Sequence, residues 1–499
     1  MEQKPTAVLV AFYNVKALGV RYLENALTKA GYHVTTIFFK QFNSISPDMP
    51  TEKELQLLCD RIEQAKPVFV GLSLMSSLYM ESIHKVIQAL QARNLGPLVC
   101  GGAFASLFPE HLLDLGIPFV LRLDGEISLV KLADALRTGA NWENNPSLCY
   151  RRDGKNVINP IGDMLDDIEG YGIPTVNCPD ACLIDNDTVT PGDPQLSTLS
   201  YEVVASRGCP FNCTYCGDPN LRRLNPPGIR PVRTRSVKSV ISELIEAKKY
   251  CKKIAFVHFY DEIFPHIPGW VDEFVVEYKK HIDLPFTIWN HPKATDPELL
   301  QKLRKVGLSE VIMGIQSGSP RIRNEVFQRP ETNEEIIKAT QTIHRSGVFW
   351  ATYDFILQHP FETIDELKES YELIKQMEGP FELQLHGLNF LPGTDIVPMA
   401  IEAGYLTQEE MDRVMFAPMS EQFKAFHRGS DDRESNLWFD IMYLWQFKRF
   451  QKKCLEYEKD VFAHEKEILR DYATAQKMAK LRYVRKKSTI VFKRIFHSF

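Results

Sequence analysis

The chain has 499 residues, is 44% hydrophobic and 25% charged, and carries a net charge of −5; it is too long for one hydrophobic core and normal for a folded globular protein. The negative balance excludes a general nucleic-acid binder, and no run approaches the roughly 20 apolar residues that cross a bilayer. Ten cysteines are scattered along it without a disulfide-like pattern, and the opening MEQKPTAVLVAFY has a strand-sized apolar run rather than a signal peptide, so a reducing, cytoplasmic setting is expected.

In chain order, residues 7–12 (AVLVAF) read as a buried strand and 18–30 (LGVRYLENALTKA) as an amphipathic helix. Leu18, Tyr22, Leu23, Ala26 and Leu27 share one face of that helix, and Gly31 ends it before a strand at 33–39. The alternation continues through helix 52–64, strand 68–74, helix 80–93, strand 97–100, the pair Gly101 and Gly102, helix 109–115 and strand 118–122. Short apolar strands alternating with helices predict an α/β, doubly wound parallel sheet over residues 1–142.

Residues 143–196 are rich in Pro, Asn, Asp and Gly and have little periodicity, the pattern of an interdomain linker with short hairpins. A second series follows over 197–405, with strands at 201–206, 253–259, 285–289, 310–314, 350–357 and 382–389 and helices between them. Six such units predict a partial (β/α)6 barrel with its chemistry at the strand C-terminal ends. Residues 406–499 form a helical C-terminal region that grows increasingly charged.

Directly after the first barrel strand, SRGCPFNCTYCG (206–217) places Cys209, Cys213 and Cys216 at C-x3-C-x2-C spacing. Zinc sites usually pair C-x2-C units and close with four ligands, whereas three thiolates leave an open corner suited to an iron–sulfur cluster. The competing reading is a zinc knuckle with Cys251 or His258 as a distant fourth ligand.

The loop, with aromatic Tyr215 before the last cysteine, resembles the cluster loop of the radical S-adenosylmethionine superfamily. The resemblance implies a [4Fe–4S] cluster whose fourth iron binds S-adenosylmethionine, whose reductive cleavage yields a 5′-deoxyadenosyl radical. Four later segments resemble family landmarks: FYDEIF (259–264), GIQSGS (314–319) with Arg329 and Thr332 after it, DFILQHPFET (354–363) and FLPGTDI (390–396). By that resemblance Tyr215, Asp261, Gln316 and Ser317 belong to the S-adenosylmethionine site, and the cluster takes electrons from a donor such as flavodoxin or ferredoxin. Gln316 stands where glutamate is common, and Gln358, His359 and Phe361 replace small residues of the usual G-x-P-G segment. His359 titrates in the right range for proton transfer and is the one catalytic candidate, with a structural role as its alternative.

In the first domain, ligands are expected where strand order reverses. The loops NVKALG (14–19), GLSLMSS (71–77) and CGGAF (100–104) lie there, and the first lacks the G-x-G-x-x-G of dinucleotide sites. With LDGEISL (123–129) they resemble the loops of cobalamin-binding domains. The resemblance implies a cobalamin site at Asn14, Lys16, Gly19, Ser73, Gly101, Gly102, Gly125 and Glu126. Where cobalt-ligating members read D-x-H-x-x-G, this chain reads N-x-K-x-x-G, and an ammonium has no lone pair to offer. The expectation is a base-off cobalamin with no histidine on its lower face, against an ordinary exposed lysine in a domain that has lost the cofactor.

The aromatic stretch LWFDIMYLWQFKRF (437–450) reads as core packing or a pocket wall, and the last 23 residues carry eight Lys or Arg and no acid. Such a tail suits either peripheral contact with an anionic membrane or acidic partner, or simple solvation. Taken together, the resemblances imply a cobalamin-dependent radical enzyme that methylates an unactivated carbon or phosphorus of a small-molecule or peptide substrate. The alternatives are a radical cyclase or rearrangement catalyst without methyl transfer, and a non-catalytic cobalamin-binding or redox-sensing protein.

Overall fold

The computed structural model describes residues 4–42, 48–415, 417–424 and 430–495. Its first sheet has nine strands: β1 (Thr6–Phe12), β2 (His33–Phe39), β3 (Val70–Ser73), β4 (Leu98–Gly101), β5 (Phe119–Leu121), β6 (Leu148–Arg152), β7 (Lys155–Ile158), β8 (Asp180–Asp185) and β9 (Thr188–Pro191). Their order is β7-β6-β5-β4-β3-β1-β2-β8-β9, so the order reverses between β1 and β3. Along β1, Val8 and Val10 enter one apolar core while Ala7, Leu9 and Ala11 enter the other. Helices cover both faces, which is why AVLVAF is a continuous apolar run.

The segment 143–196 joins this sheet at both edges. The β6–β7 hairpin pairs antiparallel with β5, and β8 of the β8–β9 hairpin pairs parallel with β2. Its exposed edge strands give the weak periodicity that read as a linker.

The second sheet is a six-stranded parallel half-barrel, β10-β13-β14-β15-β16-β17. Its strands are β10 (Ser200–Val203), then after a small antiparallel pair β11 (Ser206–Arg207) and β12 (Arg233–Thr234), β13 (Phe256–Phe259), β14 (Phe286–Asn290), β15 (Leu308–Gln316), β16 (Trp350–Leu357) and β17 (Glu382–Gly387). Tyr201, Val203, Val257, Phe259, Phe286 and Ile288 anchor the core between strands and outer helices.

The aromatic stretch near the C-terminus proves to be core. Leu437, Trp438, Phe439 and Phe450 are buried in the same cluster as the barrel strands, and Trp438 packs 5.6 Å from Tyr371. The final helix Glu465–Ile495 closes the base of the barrel with part of its basic run. Arg482 lies 5.4 Å over Trp350 and 4.7 Å over Phe447, and Lys486 bonds Glu310. Residues 496–499 of the basic tail lie outside the described residues. Among the described residues no helix is long and apolar enough to cross a membrane.

Candidate functional site

Two cavities adjoin the junction of the two sheets. The first, of about 250 Å³, opens where the strand order of the first sheet reverses. Its floor is glycine-rich: Gly71 on β3, Gly101 ending β4, and Gly102 and Gly125 beyond the strands. Gly102 adopts φ +108°, and a Cβ there would lie 2.5 Å from the Leu74 carbonyl oxygen. A Cβ on Gly101 would stand 3.8 Å from Leu121 O. Gly19 and Ser73 line the rim, and Glu126 begins the helix Glu126–Thr138. This largely apolar cradle, walled by residues such as Leu18, Leu23 and Leu72 and bare of side chains at its glycines, fits a bulky flat ligand such as cobalamin.

Asn14 and Lys16 do not line this cavity. Asn14 Oδ1 accepts from the Lys16 and Ala17 amides, both at 2.9 Å, and shapes the loop. Lys16 turns away and donates to Ser200 Oγ at 2.7 Å and Glu202 Oε1 at 2.8 Å on β10. Thus the lysine is neither a cobalt ligand nor a free surface charge but an interdomain contact. Beside it, Arg21 is fully buried against Asp193, with bonds of 2.6 and 2.8 Å.

The second cavity, about 170 Å³, sits at the C-terminal mouth of the half-barrel. Cys209, Cys213, Tyr215 and Cys216 line it with Gln316 and Arg329. Burial pushes the Cys209 thiol up to about 11 and raises Cys216 further, so the loop favours thiols until a cationic centre draws off their protons. Arg329 is buried with them: it donates to Tyr215 Oη at 3.0 Å and Gly314 O at 2.7 Å, and reaches 3.9 Å from Cys213 Sγ. Glu331 accepts from Arg329 Nε at 2.5 Å.

Neither proposed fourth zinc ligand joins this set. Cys251 is buried elsewhere, and His258 packs 4.7 Å from Phe256; neither lines the cavity. His291 does line it, yet its Nδ1 accepts from the Lys293 amide at 3.2 Å and its Nε2 faces Glu331 at 3.4 Å. Among the described residues no group of three or more His, Cys, Asp or Glu is arranged to hold a single metal ion. Three thiols without an aimed fourth ligand fit a cluster that keeps one iron for a small molecule.

Two residues expected at the S-adenosylmethionine site serve as braces instead. Asp261 is buried and accepts from the Ala205 amide at 2.9 Å and the Ser206 hydroxyl at 2.6 Å; its neighbour Glu262 is the acid that lines the cavity. Ser317 is fully buried and accepts from the Ser319 amide at 3.1 Å. Gln316 stays at the cavity, at a bulge between Gly314 and itself with φ +71°.

His359 is not brought to the cavity either. Its ring is buried 5.1 Å from Phe327 and 6.2 Å from Phe361, and burial lowers its pKa to about 3. A neutral imidazole in an aromatic nest packs rather than transfers protons. Of the cavity's further acids, Glu262 and Asp354 lie inside the landmark segments FYDEIF and DFILQHPFET but are not singled out by them, and Asp218 has no signature beyond following the cysteine loop. Arg329 was visible beforehand, as the arginine following GIQSGS.

Comparisons with known proteins follow these boundaries. The family model described as "B12 binding domain" matches residues 5–133, and that described as "Radical SAM superfamily" matches residues 203–374. The chain is 25% identical over 323 residues to an uncharacterized methyltransferase of Pyrococcus horikoshii, covering 64% of this chain and 66% of that protein, just under two-thirds of its length. It is 21% identical over 434 residues to the cytidylyl-2-hydroxyethylphosphonate methyltransferase of Streptomyces wedmorensis, covering 79% of each. The solved structure of the cobalamin-dependent S-adenosylmethionine radical enzyme OxsB with aqua-cobalamin bound shares the fold at a TM-score of 0.64 and 15% identity, over 99% of this chain and 75% of that one.

Proposed function

Because the chain belongs to the radical S-adenosylmethionine enzymes that carry a cobalamin-binding domain, we propose that it is a methyltransferase acting on an unactivated carbon or phosphorus of a small-molecule substrate. The observation that carries this reading is the pairing of a glycine-floored cavity with a three-thiol cavity at one domain junction. When bound, a [4Fe–4S] cluster supplies the electron that cleaves S-adenosylmethionine, and cobalamin supplies the carrier for the methyl group.

The chain's own residues divide the work. Cys209, Cys213 and Cys216 furnish three thiolates, and Arg329 holds a buried positive charge beside Cys213 and Tyr215. Gln316 offers a neutral amide where a ribose hydroxyl would be bound, and its side chain folds back over Gly314. Gly71, Gly101 and Gly102 let cobalamin approach the backbone. Lys16, engaged by Glu202, is not directed at the first cavity and would not ligate a cobalamin held there, which supports the base-off reading.

Electrons come from a flavodoxin- or ferredoxin-like donor. Leu481 and Val484, 70% and 60% exposed on the basic C-terminal helix, support peripheral contact with an anionic surface. Methyl transfer is supported by the activity that both relatives' names carry. The anaerobically reconstituted chain, given S-adenosylmethionine with a labelled methyl group, should form S-adenosylhomocysteine together with 5′-deoxyadenosine. Formation of 5′-deoxyadenosine with no S-adenosylhomocysteine would replace methyl transfer with a cyclisation or rearrangement.

A further inference from the structure

Residues 204–209 form a wall common to both cavities. Val204 and Arg207 line the first, and Cys209 lines the second. Between them Ala205 and Ser206 are tied down by Asp261. Gly208 then turns the chain at φ +92°, where a Cβ would lie 2.2 Å from Pro231 O. So tightly held a strap has little freedom to absorb a displacement, and movement at Arg207 is passed on to Cys209.

Arg207 belongs to this strap but spends its side chain on the other domain. Its guanidinium lies 2.7 Å from Glu126 Oε1 and 3.1 Å from Asp124 Oδ1, over the rings of Tyr22 at 4.5 Å and Tyr171 at 5.0 Å. Asp124 is shared with Arg233 of β12, at 2.6 Å, and β12 pairs with the strap itself. A second pin grips the other end of β10, where Lys16 bonds Ser200 and Glu202. The loop before the first helix and the turn before Glu126, on two sides of the first cavity, are therefore both fastened to the strand that runs into the cysteine loop.

We propose that Arg207 and Lys16 are positioning residues that couple filling of the first cavity to ordering of the cysteine loop. This rests on the cofactor assignment above. Coupling of this kind is reciprocal: the factor by which a loaded cysteine loop tightens cobalamin is the factor by which cobalamin tightens the loop.

Hydroxocobalamin titrated by absorbance into the full chain, with the cluster reconstituted and again after iron chelation, reads that factor directly. The wild type should bind on the order of tenfold more tightly with the cluster present. Lys16→Met should still bind in both states with the ratio falling toward one; Arg207→Met, whose side chain also lines the first cavity, should bind more weakly in both states with the ratio falling likewise. The charge-reversed pair K16E/E202K should regain the ratio, a rescue that a general loss of stability would not give. Equal affinities in the two wild-type states, or a ratio retained in either folded variant, overturns the coupling role. Should Arg207→Met fail to fold by circular dichroism, the partly exposed Lys16–Glu202 pair decides alone. A wild type that binds hydroxocobalamin in neither state overturns the cofactor assignment instead, so the two failures are distinct.

Discussion

Gly102 gives the sharpest test of how the first cavity is built. It adopts φ +108° and ψ −177°, a region closed to residues with a Cβ, at about 1–3 kcal/mol. A methyl group there would lie 2.5 Å from Leu74 O and 2.9 Å from Leu74 C. Both are backbone atoms, so one of the two loops must move. Leu74 donates its N–H to Gly101 O at 2.7 Å and accepts from Phe104 N–H at 3.1 Å, and loosening these costs about 1 kcal/mol each. Gly102→Ala should therefore destabilise by about 3–5 kcal/mol. Gly139→Ala is the control, because Gly139 has φ +73° with nothing within 4 Å and carries only a left-handed penalty of about 1 kcal/mol. In the thermal transition of the unit built on the first sheet, followed within the full chain, Gly102→Ala should melt roughly 4–16 °C below the control, and hydroxocobalamin should bind it at least about tenfold more weakly, a change of about 1.4 kcal/mol. Melting within about 2 °C of the control, with cobalamin binding unchanged, would refute the cradle.

Asp193→Ala strands Arg21, which is buried and loses a two-pronged carboxylate; denaturant unfolding should show a loss of about 3–5 kcal/mol, and a loss below about 1 kcal/mol would be inconsistent with a buried pair. Acid stability should report His359. Its pKa is about 3 when folded against 6.5 in the open chain, so between those values the folded chain binds fewer protons than the unfolded one. The stability it contributes is thus complete above about pH 6.5 and declines by up to about 1.4 kcal/mol per pH unit below it. His359→Leu should flatten that decline in melting curves taken between about pH 5 and about pH 7, and parallel curves for variant and wild type would argue against a neutral buried imidazole.

Most elements and both loop systems were legible because their cause is local. Apolar runs of strand length, glycines at strand ends and C-x3-C-x2-C spacing all act within a few residues. What escaped the sequence depends on partners far away. Lys16 finds Glu202 across 186 residues of chain, and nothing in NVKALG foretells that it leaves the cavity. Nothing in SRGCPFNCTYCG singles out Arg207, whose partner Glu126 lies in the first domain. The choice between Asp261 and Glu262 is made by the backbone after β13, which turns the first acid onto the Ala205 and Ser206 donors and leaves the second to the cavity. Arg482 and Lys486 look like a solvated charge run, yet aromatic faces and Glu310 under the barrel capture them. The hairpins of 143–196 carry little pattern because they lie at sheet edges.

In the proposed function, the three-thiol cavity drives reductive cleavage of S-adenosylmethionine beside a bound cobalamin. The most direct measurement is 5′-deoxyadenosine formation by the anaerobically reconstituted full chain with a low-potential reductant, compared with Cys213→Ala, whose side chain lines that cavity. The wild type should accumulate 5′-deoxyadenosine, while Cys213→Ala should form none and still bind hydroxocobalamin. Equal formation by the two proteins would contradict the proposed function.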